Sequence, residues 1–155
     1  MWDRYGDVVE VSAPEQSEAQ ALVDMIAHHR DAISGSQAVL AHTTSPEIIA
    51  FAERLIRVQT EQIAEMEAWV AEWYPTATPE SHWAPMFADP ASSATDERYL
   101  ATMIDHHEHA ISMYAGWVAV GVVQHDELGL LAAHIAKGQE GEIARMTQLL
   151  GGRTN

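Results

Sequence analysis

A ten-residue string that occurs twice constrains the fold of this chain more than any other feature. MIAHHRDAIS begins at Met25, and MIDHHEHAIS begins at Met103. The likeness resumes downstream, where the Gln, Ile, Ala and Met of residues 59–66 return in residues 139–146. One such unit is a helical hairpin too thin to bury its own apolar face, so the two copies are expected to pack together. The sequence therefore predicts an all-α fold made of two tandem hairpins.

The first hairpin is predicted over residues 17–73. Apolar residues recur at spacings of three and four from near Ser17, which is the pattern of a helix with one face against a core. A second helix is expected to begin at Pro46, with Ser45 as its N-cap, and to end near Trp73.

The second hairpin is predicted over residues 96–150. Its first helix is expected after a cap on Thr95 or Asp96, and its last helix is expected to stop at the Gly151-Gly152 pair. The two hairpins together give a four-helix bundle.

A long connector is predicted over residues 74–95, because its four prolines cannot all belong to a helix. Residues 1–15 show no helical period and are expected to form a loose arm. The whole chain, residues 1–155, is expected to be one domain, since 47% hydrophobic residues suffice for a core at this length.

Charge and composition limit the kinds of partner that the chain is expected to bind. The formal net charge is −15, so nucleic acid and anionic membrane surfaces are repelled on average, and cations are the natural small partners. No segment suggests direct membrane insertion, and self-association into a homo-oligomer stays open. The chain has no Cys, so any soft metal ligand must come from its seven Met residues.

Both strings place a Met one helical turn before two adjacent His. Met25 precedes His28 and His29 in the first string. In the second string, the corresponding residues are Met103, His106 and His107, and Met113 extends the same edge of the helix. Imidazole with thioether is a soft to borderline ligand set that suits Cu(I), accepts Cu(II) on the histidines and leaves zinc as an alternative. Copper is the metal that the pattern favours.

Buried imidazoles need polar partners, because an unpartnered one loses roughly 1–3 kcal/mol of solvation. His29 is expected near Gln59 or Gln62, and His107 near Gln139 or Glu142, within or across the hairpins. A metal-free polar layer that fixes helix register satisfies the same requirement and stays open. Apart from these residues, His109 could join a site at the edge of the helix, but a solvated side chain is favoured. His82 and Met86 of the connector could cap a site from outside, but loop packing is favoured.

The helical repeat is also compatible with two other classes of function. A ferritin-type redox enzyme needs Glu three residues before a ligand His, and none of the nine His has one. An enzymatic function is therefore the less favoured alternative. An adaptor bundle without metal is the third class, in which Trp69, Trp73 and Trp117 mark a partner or dimer surface.

The duplicated Met-Ile-x-His-His-x-x-Ala-Ile pattern and the Gln-x-x-Glu-Ile-x-x-Met of the last helix resemble the bacterial family catalogued as domain of unknown function 305. The resemblance covers roughly residues 17–150. It implies a ferritin-like four-helix bundle that binds copper and is not an enzyme, often in exported proteins. The chain itself starts without a basic segment followed by an apolar run, so no signal peptide is predicted in it.

The first repeat departs from the family pattern at two positions. The family continues as Ala-Ile-x-Met, which the second repeat keeps as Met113, whereas the first has Gly35. The family also favours Glu where the first repeat has Gln62 and the second has Glu142. The resemblance therefore ranks the second set of ligands above the first.

Overall fold

The computed structural model describes residues 17–153, and in that part of the chain every regular element is a helix. The absence of strands there agrees with the predicted all-α class. The helices are α1 (Glu18–Leu40), α2 (Pro46–Trp73), the one-turn α3 (Pro90–Ser93), α4 (Asp96–Val120) and α5 (Asp126–Arg153). The predicted N-terminal arm lies outside the described residues.

Three of the long helices begin at the predicted positions, and each has a Ser or Thr hydroxyl as its N-cap. The Ser17 side chain accepts a hydrogen bond from the Gln20 amide at 3.0 Å. Ser45 caps α2 in the same way, followed by a proline at the first helical position. Thr95, and not Asp96, is the N-cap of α4. These side chains satisfy amides that the first turn of a helix leaves without partners.

Between α2 and α4 the chain forms the one-turn helix α3, in which Pro90 occupies a first-turn position that tolerates proline. One boundary prediction is wrong. Helix α5 does not stop at Gly151-Gly152 but runs to Arg153. Arg153 forms an ion pair with Asp96 at the start of α4, 3.2 Å apart, which holds the last turn against its neighbour.

The two hairpins, α1 with α2 and α4 with α5, meet mainly along α1 and α4. Buried side chains form two groups, one at each end of this contact. The upper core includes Ala32, Val39, Leu55, Phe87, Tyr99, Leu100, Met103 and Met146. The lower core includes Leu22, Met25, Met66, Met113, Trp117 and Leu128.

Helices α1 and α4 run antiparallel. The upper core joins the end of α1 to the start of α4, and the lower core joins the start of α1 to the end of α4. A buried hydrogen bond of 2.7 Å between the hydroxyls of Ser36 and Tyr99 fixes the upper contact. The connector spans the length of the bundle, from Tyr74 beside Glu18 at the lower end to Ala94 in the upper core.

Among the described helices, none combines the length and the apolar character needed to cross a lipid bilayer.

Candidate metal centre

The first histidine of each doublet meets its counterpart at the centre of the α1–α4 contact. The rings of His28 and His106 are stacked, with centroids 3.5 Å apart and planes inclined by 21°. Their exposed fractions are 1% and 5%. Because α1 and α4 are antiparallel, equivalent positions of the two strings face each other here.

Two polar side chains one turn further along their helices extend this pair. The carboxylate of Asp31 lies 3.9 Å from Nε2 of His106, and Asp31 is 2% exposed. At the equivalent position of α4, the His109 ring lies 5.4 Å from the His28 ring. His109 is partly buried, so the expectation of a solvated side chain is wrong. Sequence reasoning missed Asp31, although its spacing of three from His28 was a usable signal.

Thioether sulfurs lie on both sides of the stacked pair. Met25 and Met113 pack together in the lower core, and Met103 belongs to the upper core. All three side chains are buried, with at most 8% exposure. A methionine in a core commonly serves only as filler. Here each lies on the same helix face as a buried histidine, one or two turns away.

The second histidine of each doublet turns towards the partner helix of its own hairpin. Nε2 of His29 lies 2.8 Å from the side-chain oxygen of Gln62. Nε2 of His107 lies 2.6 Å from a carboxylate oxygen of Glu142. The structure thus confirms the expected partners and shows that both pairs form within a hairpin.

Burial keeps two of these imidazoles neutral at neutral pH. Burial lowers the pKa of His29 to about 4, although the hydrogen bond that Nε2 donates to Gln62 partly opposes this. Burial also lowers the pKa of His28 well below its ordinary value, and the neighbouring His106 lowers it further. A neutral imidazole keeps a ring nitrogen lone pair, which is what a metal ion binds.

A cleft of about 710 Å³ separates α2 from α5. Gln62 and Glu142 line it, and so do Gln59 and Gln139 on the same two helices. The side-chain oxygens of Gln59 and Gln139 are buried there and accept no hydrogen bond from any described residue. The layer of His29 and His107 therefore lies behind Gln62 and Glu142 at the wall of this cleft, whereas the pair of His28 and His106 lies between α1 and α4.

The predicted ligands fall into two sets according to the helix face on which they lie, and each set contains residues of both repeats. Five of them lie at the α1–α4 contact, and three lie in the layer beside the cleft. The first set is Met25, His28, Met103, His106 and Met113, and the second is His29, His107 and Glu142.

Counting only His, Cys, Asp and Glu, no group of three among residues 17–153 is placed to hold a metal ion. The donors that fit a metal here are nitrogen and sulfur together: neutral imidazole between buried thioethers. This combination suits a soft cation such as Cu(I).

The three tryptophans do not form one exposed surface. Trp117 is 2% exposed and lies in the lower core. Trp69 stacks on Trp73, and Trp73 stacks on His125 with ring centroids 3.7 Å apart. The interpretation of all three as a docking surface is therefore wrong for Trp117.

Fold and donor set together define an all-α bundle protein with a buried histidine and methionine contact between its two hairpins. The family model described as Domain of unknown function (DUF305) matches residues 18–95 and 86–150, and the chain belongs to this family. This confirms the resemblance read from the repeated strings. No match is found among curated proteins.

Solved structures with the same fold include copper-bound and silver-bound proteins. CopM in the Cu(I)-bound form is 26% identical, with a TM-score of 0.76 over 90% of this chain and 99% of that chain. CopM co-crystallised with Ag is 27% identical, with a TM-score of 0.74 over 88% of this chain and 96% of that chain. A DUF305 fragment from Deinococcus radiodurans is 26% identical, with a TM-score of 0.70 over 86% of this chain and 95% of that chain.

Proposed function

We propose that this protein binds copper as Cu(I) and sequesters it or passes it on, without catalytic turnover. The ligands are drawn from the α1–α4 contact: imidazole nitrogen from His28 and His106, and thioether sulfur from Met25, Met103 and Met113. The observation that carries the proposal is the stacked pair of buried imidazoles with methionines on both sides.

The chemistry of the contact supports a soft, singly charged ion. Thioether and neutral imidazole carry no charge, so they offer little to Mg²⁺ or Ca²⁺ but match Cu(I). The buried carboxylate of Asp31 beside His106 offsets the charge of a bound cation, which is otherwise expensive to place away from water. An exported or envelope location, as the family resemblance implies, belongs to the same proposal.

His29, His107 and Glu142 have a supporting role in this proposal. Their ring nitrogens and carboxylate are already joined in hydrogen bonds within each hairpin. These bonds fix the rotation of α1 and α4, and hence the direction in which His28 and His106 point. Hydrogen-bonded residues that orient ligands in this way commonly matter for metal affinity as well.

The fold shared with CopM supports the choice of metal. CopM was solved with Cu(I) bound, and the likeness covers nearly the whole of both chains. CopM was also solved with Ag, another soft monovalent ion. A metal-free bundle that only fixes helix register is the outcome that the experiment must separate from copper binding.

An anaerobic competition titration against a chromogenic Cu(I) chelator tests the proposal. We expect wild-type protein to take Cu(I) from the chelator, and His106→Asn to weaken binding by more than the roughly 10–100-fold that loss of an orienting residue commonly costs. The matched control is His82→Asn, because His82 is an exposed histidine of the connector. Zn(II) in a parallel titration is expected to bind more weakly. Wild-type protein that leaves the chelator fully loaded, or equal affinities for the two variants, overturns the proposal.

A further inference from the structure

The space left by the missing methionine of the first repeat is filled from another part of the chain. Gly35 and Met113 occupy equivalent positions after the two Ala-Ile-Ser triplets. A Cβ built on Gly35 would collide with the sulfur of Met86, and it would lie 3.3 Å from both Cβ and Cγ of that residue. The Met86 side chain therefore occupies the place where the side chain of residue 35 would begin.

Hydrogen bonds hold Met86 at this place. Its backbone amide donates to Oγ of Ser34 at 2.9 Å. The Ser34 hydroxyl in turn donates to the carbonyl of Asp31 at 2.6 Å. The next residue, Phe87, is 5% exposed and packs in the upper core. The connector is thus anchored on both sides of the thioether.

Met86 packs against the same core as a methionine of α4. Met86 is partly buried against the upper core, to which Met103 belongs. Met25 and Met113 share the lower core. Each end of the stacked His28 and His106 pair therefore has two thioethers, but one of the four comes from the connector.

We propose that Met86 is a thioether ligand for Cu(I), replacing the methionine that position 35 lacks. The chain then offers two soft-metal positions, one beside Met25 and Met113 and the other beside Met103 and Met86. This inference rests on the proposed copper-binding function and adds a second ion, with a ligand that the repeat pattern alone does not supply. Packing of the connector against the bundle is the other explanation for the burial of Met86. The experiment separates packing from ligation.

The test compares Met86→Leu with Met146→Leu in Cu(I) competition titrations and in X-ray absorption at the copper edge. Leu conserves the volume of Met, so both variants are expected to fold, as circular dichroism will report. Met146 is fully buried in the same upper core and serves as the packing control. We expect wild type and Met146→Leu to bind two Cu(I) per chain. Met86→Leu should weaken the second ion by at least roughly tenfold and reduce the number of sulfurs per copper.

The exchange variant Gly35→Met/Met86→Ala moves the thioether from the connector onto α1. Removing the Met86 side chain clears the position that the new Cβ needs. We expect this variant to regain the second ion that Met86→Leu loses. A folded exchange variant without that recovery assigns Met86 to packing and overturns the inference, as does a Met86→Leu that behaves like Met146→Leu. Wild-type protein that binds no Cu(I) sinks the proposed function itself, whereas a single wild-type ion unaffected by Met86→Leu sinks only the second position.

Discussion

The two histidines of each doublet serve different neighbours because they lie about 100° apart around the helix axis. The first, His28 or His106, faces the other hairpin. The second, His29 or His107, faces the partner helix of its own hairpin. In our proposal, a doublet therefore joins a ligand to a side chain that orients it, and a single substitution can separate the two roles.

His28→Asn is expected to weaken Cu(I) binding more than His29→Asn. The first change removes a proposed ligand, whereas the second removes only a hydrogen bond that orients α1. Chelator competition on the two variants measures the difference, which we expect to be roughly tenfold. Equal losses, or a larger loss in His29→Asn, contradict the assignment of ligands to the α1–α4 contact.

Met103→Leu is expected to lower Cu(I) affinity while leaving the fold nearly unchanged. Leu has a similar volume, so the cost in unfolding free energy should stay below about 1.5 kcal/mol. Chemical denaturation of the metal-free protein measures stability, and the competition titration measures affinity. An unchanged Cu(I) affinity removes Met103 from the ligands.

At the scale of elements, the starts of the long helices follow from local sequence, whereas some ends and contacts do not. Ser17, Ser45 and Thr95 cap helices because a hydroxyl satisfies amides of the next turn, wherever the helix lies. The end of α5 depends on the ion pair of Arg153 with Asp96, which joins residues far apart in sequence. No local pattern predicts such a pair.

The start of α5 is held by a carboxylate from α1. Glu18 is 3% exposed and accepts hydrogen bonds from Tyr74, from the Gln124 amide and from the His125 amide at 2.9 Å. Burial alone raises the pKa of Glu18, but these hydrogen bonds outweigh it, so the pKa lies below its ordinary value of 4.5. The ionised form is therefore favoured in the folded state.

Glu18→Gln is expected to destabilise the fold by about 1.5–3 kcal/mol at neutral pH, since it replaces a charged acceptor. A carboxyl group whose pKa is lowered by folding contributes its full stabilisation at pH values above its pKa in the unfolded state. That contribution is lost as the pH falls through its pKa in the folded state. The stability difference between wild type and variant should therefore shrink below about pH 4.5. Denaturant unfolding across pH measures it, and a difference that stays constant down to acid pH speaks against the cap.

Gly121 ends α4 with a φ of 69°, a conformation that costs other residues about 1–2 kcal/mol. Gly121→Ala is therefore expected to lower the unfolding free energy by about 1 kcal/mol. Gly116→Ala, inside the same helix and with nothing near its added Cβ, should instead raise it by about 0.5–1 kcal/mol. Opposite signs in urea unfolding confirm the left-handed cap, and a stabilising Gly121→Ala contradicts it.

At the scale of the whole molecule, the path of the connector decides which parts of the repeats meet. It carries the chain from one end of the bundle to the other, so α4 runs antiparallel to α1. Sequence predicts the four long helices and the hydrogen-bond partners of His29 and His107, because few polar residues lie on the inner faces. It does not predict that His28 meets His106, since that depends on the crossing of the hairpins. The position of Met86 over Gly35 depends on the connector in the same way.

A copper ion held between α1 and α4 ties the two hairpins together, so loading should stabilise the whole domain. At a free Cu(I) concentration of 100 times Kd, the gain is about 2.7 kcal/mol. For a chain of this size, this corresponds to a rise in Tm of roughly 5–10 °C. Anaerobic calorimetry with and without Cu(I) measures it, and the double variant His28→Asn/His106→Asn should show no rise. A rise that persists in the double variant places the ion elsewhere.

The most direct test of the account is a crystal structure of the Cu(I)-loaded protein with an anomalous difference map at the copper edge. We expect copper density at the α1–α4 contact, within bonding distance of His28 or His106 and of at least one methionine sulfur. Copper found only in the cleft beside Glu142, or no copper at either place in fully loaded crystals, contradicts it.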